Sequence, residues 1–264
     1  MKRTLLSFAC ALFALTAAAQ EVASPDGNVR LKFHVDGTRP TYELAYKGRE
    51  VVRPSHLGLE LARDKHASKG LRETDLMDGF SIAGSETSAV DETWRPVCGE
   101  TATIRNRYNE LAVTLAQQST GRHIIVRFRV YDDGIGFRYE FPQQDSLNYF
   151  IIREERTEFA MTGDHKAWWL PGDYDTQEQE TQESRLSEIR GMFDKAVNWG
   201  NSSIAVFSPT GVQTSLQMKT DDGLYINIHE AACADYATMH LELVDAETSH
   251  LSTGLRGHSN AYTP

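Results

Sequence analysis

The sequence predicts a mainly β chain: a large antiparallel β-super-sandwich with one short helix. Three observations carry that reading. Apolar residues recur with a period of two along most of the chain. The alternating runs are joined by Lys-Gly and Asp-Gly turn sequences, which suit tight hairpins because Gly adopts positive φ without strain. Only one stretch keeps helical spacing instead.

The first run is NVRLKFHVDG, in which Val29, Leu31, Phe33 and Val35 face one way and Arg30, Lys32 and His34 the other. PTYELAYKGREVV follows as a hairpin turning at Lys47-Gly48. ELAVTLAQ and HIIVRFRVYDDGIGFRYEF continue the alternation, the latter folding back at Asp132-Asp133-Gly134. SSIAVFS, GVQTSLQMKTDDGLYINIHEAA and ATMHLELVDA complete it, with a turn at Asp221-Asp222-Gly223. ESRLSEIRGMFDKAV breaks the rhythm: Leu186, Ile189, Met192 or Phe193, and Val197 lie near helical spacing, with Gly191 as a weak point. About fourteen short strands and one minor helix predict a sandwich.

Residues 1–19 read as a secretory signal peptide. Met1-Lys2-Arg3 is a basic head, Leu5 to Leu15 is mostly apolar, and Ala17-Ala18-Ala19 supplies small residues for cleavage before Gln20. The apolar run is too short to span a bilayer and no other run is long enough. The expected product is exported, periplasmic or secreted, with residues 20–264 as one β-sandwich domain. Losing Lys2 and Arg3 takes the formal charge from −10 to −12. That acidity argues against nucleic acid and anionic membranes as partners. Cys98 and Cys233 remain after cleavage; two cysteines can pair but make no disulfide framework.

Two neighbouring stretches carry candidate chemistry. PGDYDTQEQETQESR places Asp173, Asp175, Glu178, Glu180 and Glu183 in fifteen residues. Clustered carboxylates suit calcium, a hard cation that takes six to eight oxygens. The spacing is not an EF-hand: counted from Asp173, position six is Glu178 rather than Gly, and position twelve is Ser184 rather than Glu. A solvated surface loop is the simpler reading of composition alone. Just upstream, Trp168 and Trp169 offer aromatic faces on which pyranose rings stack, which makes both candidate substrate-binding residues. Adjacent residues of a strand face opposite sides, so one indole is equally expected in the core. His229-Glu230 is an acid–base candidate with the same objection. DETWRPVCGE, from Asp91 to Glu100, reads as an ordered loop. No phosphate loop, nucleophile elbow or HExxH motif is present, and no catalytic residue is assigned.

Longer strings add a family resemblance. SPDGNVRLKFHVDGTRPTYELAYKGREVVRPSHLGLEL, DETWRPVCGE, IRNRYNELAVTL, RFRVYDDGIGFRYEFPQQDSLNYFIIREERTEFAMTGDHKAWWLPGDYDTQEQE, SRLSEIRG and TDDGLYINIHEAA resemble, in order from Ser24 to about Leu243, the N-terminal domain of glycoside hydrolase family 97. That family includes α-glucosidases and α-galactosidases. The resemblance implies a galactose-mutarotase-like super-sandwich that packs on a catalytic (β/α)₈ barrel lying beyond this sequence. It implies carbohydrate, an α-glucan or α-galactoside, as the substrate of the parent enzyme. It also implies an active-site calcium to which the glutamate of GDYDTQE, here Glu178, contributes one ligand, the barrel supplying the rest. Asp173, Asp175, Glu180 and Glu183 keep the surface-loop reading. A free carbohydrate-binding module built on Trp168 or Trp169 is the first alternative. A mutarotase-like epimerase pairing His165 or His229 with Glu178 or Glu230 is the second, on fold analogy only. Two departures stand out: Cys98 replaces a common Trp, and the tail ETSHLSTGLRGHSNAYTP fits the family poorly. A truncated or frame-shifted coding sequence, or an incomplete gene fragment, is the expected explanation of the tail, with a natural stand-alone domain as the alternative; if a final sandwich strand is missing, an unpaired edge is exposed.

Overall fold

The computed structural model describes residues 19–62, 75–173, 176–200, 204–206, 208–232, 234, 236–245, 249–256 and 260–262. The leader, Asp175 and Cys233 lie outside the described residues. The first half of the chain contributes β1 (Gln20–Ala23), β2 (Val29–Asp36), β3 (Arg39–Tyr46), β4 (Arg49–His56), β5 (Leu59–Leu61), β6 (Phe80–Trp94), β7 (Ile104–Gln117), β8 (Arg122–Tyr131) and β9 (Gly134–Glu140). The second half contributes β10 (Phe150–Glu155), β11 (Glu158–Met161), β12 (Lys166–Trp169), β13 (Gln182–Arg185) and the helix α1 (Ile189–Ala196). It closes with β14 (Gly211–Gln213), β15 (Leu216–Lys219), β16 (Tyr225–Ile228), β17 (Thr238–Asp245), β18 (His250–Arg256) and β19 (Asn260–Tyr262).

These strands form an eight-stranded sheet ordered β1-β2-β3-β4-β11-β18-β17-β14, two four-stranded sheets ordered β6-β7-β8-β9 and β13-β12-β15-β16, and a three-stranded sheet ordered β19-β10-β5. Every strand pairing among the described residues is antiparallel. The alternation of β2 buries Val29, Leu31 and Phe33 and leaves Arg30 exposed, as the sequence pattern requires. At Lys47-Gly48 both residues take positive φ, 50° and 76°, and Tyr46 pairs with Arg49 across the two-residue turn. The large sheet faces the β6–β9 sheet through an aromatic cluster. Phe33, Tyr42 and Phe159 from one side meet Phe128 and Phe137 from the other, with ring centroids 5.7–6.5 Å apart. Aromatic pairs at such distances add to the area they bury.

Four local expectations change. The helix is shorter than its pattern: Glu183–Arg185 belongs to β13, Leu186–Glu188 is a 3₁₀ turn, and α1 begins at Ile189. Strand pairing with β12 claims the first residues of that pattern. SSIAVFS is not a strand among its described residues; Val206 makes a single bridge to Asp173. GVQTSLQMK is split at Thr214-Ser215, so β14 joins the large sheet and β15 the smaller one. DETWRPVCGE is half strand, because β6 runs on to Trp94, paired with Ile104.

The tail is the largest correction. β18 lies in the middle of the eight-stranded sheet, hydrogen-bonded to β11 on one side and β17 on the other, and β19 pairs with β10. The tail therefore supplies two strands, one of them inside the large sheet rather than at its edge.

Candidate functional site

The acidic loop joins β12 to β13, and its flanks are held far more firmly than its composition suggests. Pro171 bridges to Val212, the Gly172 amide donates to the Gly211 carbonyl, and the Gln213 amide donates to the Leu170 carbonyl. Asp173 is 2 % exposed. Its Oδ1 accepts from the amides of Ala205 (3.1 Å) and Thr176 (3.4 Å), and its Oδ2 accepts from Gln179 Nε2 (3.2 Å). Gln179, also buried, accepts the Asn198 amide through Oε1 at 2.8 Å. Gln213 Nε2 donates to the carbonyls of Pro171 and Thr176. A buried carboxylate is tolerated where backbone and amide donors replace its water. Asp173 is thus an inner strut of the loop, not the solvated carboxylate its composition suggested.

That frame decides where Glu178 goes. Its neighbour Gln179 points in and Glu178 is exposed, with its own amide donating to Thr176 Oγ1 at 3.0 Å. Glu180 is also exposed. Among the described residues no three His, Cys, Asp or Glu side chains come together as a metal site. The donor chemistry at Glu178 is right for calcium, since a free carboxylate on a fixed loop is a hard oxygen ligand, but its number is not. Any calcium held there takes most of its oxygens from outside the described residues.

The two tryptophans separate as strand alternation demands. Trp169 is 1 % exposed, stacked on Phe193 of α1 (centroids 6.4 Å, planes 10° apart), with Nε1 donating to Ser184 Oγ at 2.9 Å. No ligand reaches its faces, so the structure removes Trp169 as a sugar platform. Trp168 lies on the opposite, solvent-facing side, with Nε1 donating to Glu183 Oε2 at 2.9 Å. Its ring stacks on Tyr225, a partner the sequence pattern did not single out because Tyr225 lies two strands away.

The histidines do not form the pairs considered for acid–base work. His165 is buried and its Nε2 lies 3.4 Å from Thr162 Oγ1; His229 is exposed, with Nδ1 3.0 Å from Ser215 Oγ. Glu230 accepts the Met239 amide. No hydrogen bond or ion pair links either histidine to Glu178 or Glu230 among the described residues. A histidine–carboxylate cluster occurs elsewhere: Glu158 Oε2 accepts the His56 amide (2.9 Å) and lies 3.4 Å from His250 Nε2, while Arg39 approaches Oε1 at 3.7 Å. Cys98 is exposed with a free thiol.

Burial holds the imidazoles of His165 and His56 below their ordinary pKa. A histidine whose folded pKa is depressed stabilises the fold fully above about pH 6.5, and that stability is lost as pH falls through the folded value. Melting temperature is therefore expected to fall between pH 7 and pH 5, before carboxylates protonate. His165→Gln, which cannot ionise, flattens that slope; a pH series of thermal melts of both proteins checks it.

Comparison with known proteins agrees with this architecture. The family described as Glycosyl-hydrolase 97 N-terminal matches residues 22–263, including the tail that its short strings had left out. A retaining alpha-galactosidase of Bacteroides thetaiotaomicron is 26 % identical over 250 residues, which is 88 % of this chain and 34 % of that protein. A glycoside hydrolase family 97 enzyme from Pseudoalteromonas sp. strain K8, solved with acarbose, superposes with a TM-score of 0.74 at 29 % identity, over 93 % of this chain and 34 % of that one. A β-arabinopyranosidase superposes at 0.73 with 18 % identity, which speaks to the fold alone. The chain thus spans about a third of the length of these relatives. With a match that runs through nearly every described strand, the chain belongs to the glycosyl-hydrolase 97 N-terminal family.

Proposed function

We propose that this domain serves an exported α-glycosidase by packing on its catalytic barrel and presenting Glu178 as one ligand of a shared calcium. The carrying observation is the contrast within one loop: Asp173 and Gln179 are buried and fixed, while Glu178 between them is exposed, and no three metal-ligating side chains gather among the described residues. A loop braced in this way offers the Glu178 carboxylate as one oxygen ligand. Calcium bound there would supply a fixed positive charge beside the reacting glycoside. Gln179 keeps Glu178 outward by holding the inner side of the loop, and Asp173 ties that side to the chain around Ala205. The relatives act on or bind carbohydrates by their descriptions, an alpha-galactosidase and an acarbose complex, and about two-thirds of their own length lies outside the match, room in which a catalytic barrel can lie. Export rests on the leader, and β1 begins at Gln20, directly after the expected cleavage point.

The isolated chain is expected to bind calcium no more tightly than about 1 mM, since one carboxylate leaves most of the coordination to water. It is also expected to turn over neither α-glucosides nor α-galactosides. Calorimetric titration and a nitrophenyl glycoside assay on the purified chain check both. Micromolar calcium binding, or turnover, overturns the shared-site reading.

A further inference from the structure

We propose that the solvent face of the β13-β12-β15-β16 sheet is a binding surface for a neutral glycan, centred on Trp168 and Tyr225. This inference does not depend on Glu178 or on calcium.

The inner face of this sheet is spent on the core: Ala167, Trp169, Leu216, Met218 and Ile228 are all buried. Its outer face therefore has the alternate residues, and the register aligns them in rows. Glu183 pairs with Trp168, Trp168 with Gln217, and Gln217 with Asn227. With neighbouring strands about 4.8 Å apart, that row is about 14 Å long. Trp168 and Tyr225 lie with planes 19° apart and centroids 6.3 Å apart. Such a separation in near-parallel rings means offset packing with overlap only at the edges; Trp168 is half-buried, with Lys166 Nζ over its ring at 5.1 Å. Tyr225 is 66 % exposed, a large aromatic left in water without a core to join.

Charge on this face is largely neutralised from within. Lys166 Nζ sits 2.6 Å from Glu183 Oε1, and Arg185 pairs with Asp221 at 2.7 Å. Lys219 Nζ lies over the Tyr225 ring at 4.9 Å, where the π-face takes up part of its charge. Glu183 is further fixed by the indole N–H, which holds Trp168 in one orientation. The side-chain amides of Gln217 and Asn227 are exposed and make no hydrogen bond among the described residues. A half-exposed indole and an exposed phenol ring beside unfilled amides, with little net charge, suit a ligand that offers C–H faces and hydroxyls together. A charged polymer would gain little here, and an apolar peptide would leave the amides and ion pairs unmatched.

Native gel electrophoresis in gels with and without soluble starch or galactomannan tests this on the full mature chain. Wild type is expected to be retarded by at least one of the two polymers. Trp168→Ala and Tyr225→Ala are each expected to weaken the apparent affinity about tenfold, and Asn227→Ala severalfold, with Trp168→Phe keeping most of it. Trp199→Ala serves as the control: Trp199 is 61 % exposed but lies off this sheet, its Nε1 bound to the Asp194 carbonyl, and its loss is expected to change nothing. Circular dichroism and melting temperature establish that each variant is folded. No retardation of folded wild type by either polymer overturns the proposal, as does equal retardation of wild type, Trp168→Ala and Tyr225→Ala. Either failure leaves the Glu178 reading standing, because calcium binding is not measured.

Discussion

Trp169→Ala is expected to lower the unfolding free energy by about 3–5 kcal/mol, the range for removing a buried aromatic. The indole closes the gap between the β13-β12-β15-β16 sheet and α1, packed flat on Phe193 and tied to Ser184. Alanine leaves a cavity that two rigid elements cannot close, and it takes away the donor that Ser184 Oγ accepts. Against a typical total of 5–15 kcal/mol, such a loss is large. For a domain of this size it corresponds to a melting temperature lower by about 10 °C. The neighbouring change Trp168→Ala is expected to cost less than about 1 kcal/mol, because that ring faces solvent. Chemical denaturation of the two variants decides the matter. If Trp168→Ala proves the more damaging, the two faces of β12 have been assigned the wrong way round.

How far the sequence foretold this is clearest in the same few residues. Alternation required that Trp168 and Trp169 part, but it could not say which would be buried. That choice is set by α1, whose Phe193 lies 24 positions downstream. Hairpins between neighbouring runs were legible from their turns, as at Lys47-Gly48. The long-range pairings β4 with β11 and β11 with β18 were not, since no local signal specifies them. The tail hides its place for the same reason: its strand leaves no turn signature, yet it lies inside the large sheet. In the acidic loop, composition hid the distinction that matters. Asp173 and Glu178 look alike in sequence, and only the donors gathered around Asp173, from Ala205 and Gln179, separate the strut from the presented carboxylate. Glu178 was singled out by family resemblance; its exposure beside a buried Gln179 is what the structure adds.

The presented carboxylate is where the account stands or falls. A chimera in which this chain replaces the corresponding third of the Pseudoalteromonas sp. strain K8 enzyme tests it, because the proposal expects Glu178 to face the rest of that enzyme's chain. The decisive measurement is the calcium concentration giving half-maximal activity of that chimera, with and without Glu178→Gln. Glutamine keeps the size and exposed position of the side chain and removes only its charge, so folding is expected to be unchanged. Losing one charged ligand from a calcium site weakens it substantially, because affinity follows ligand charge. The predicted result is a rise of at least about tenfold for Glu178→Gln, equivalent to about 1.4 kcal/mol, while Glu180→Gln leaves the value where it was. A calcium requirement unmoved by Glu178→Gln, or moved as far by Glu180→Gln, contradicts the claim that this loop exists to present Glu178.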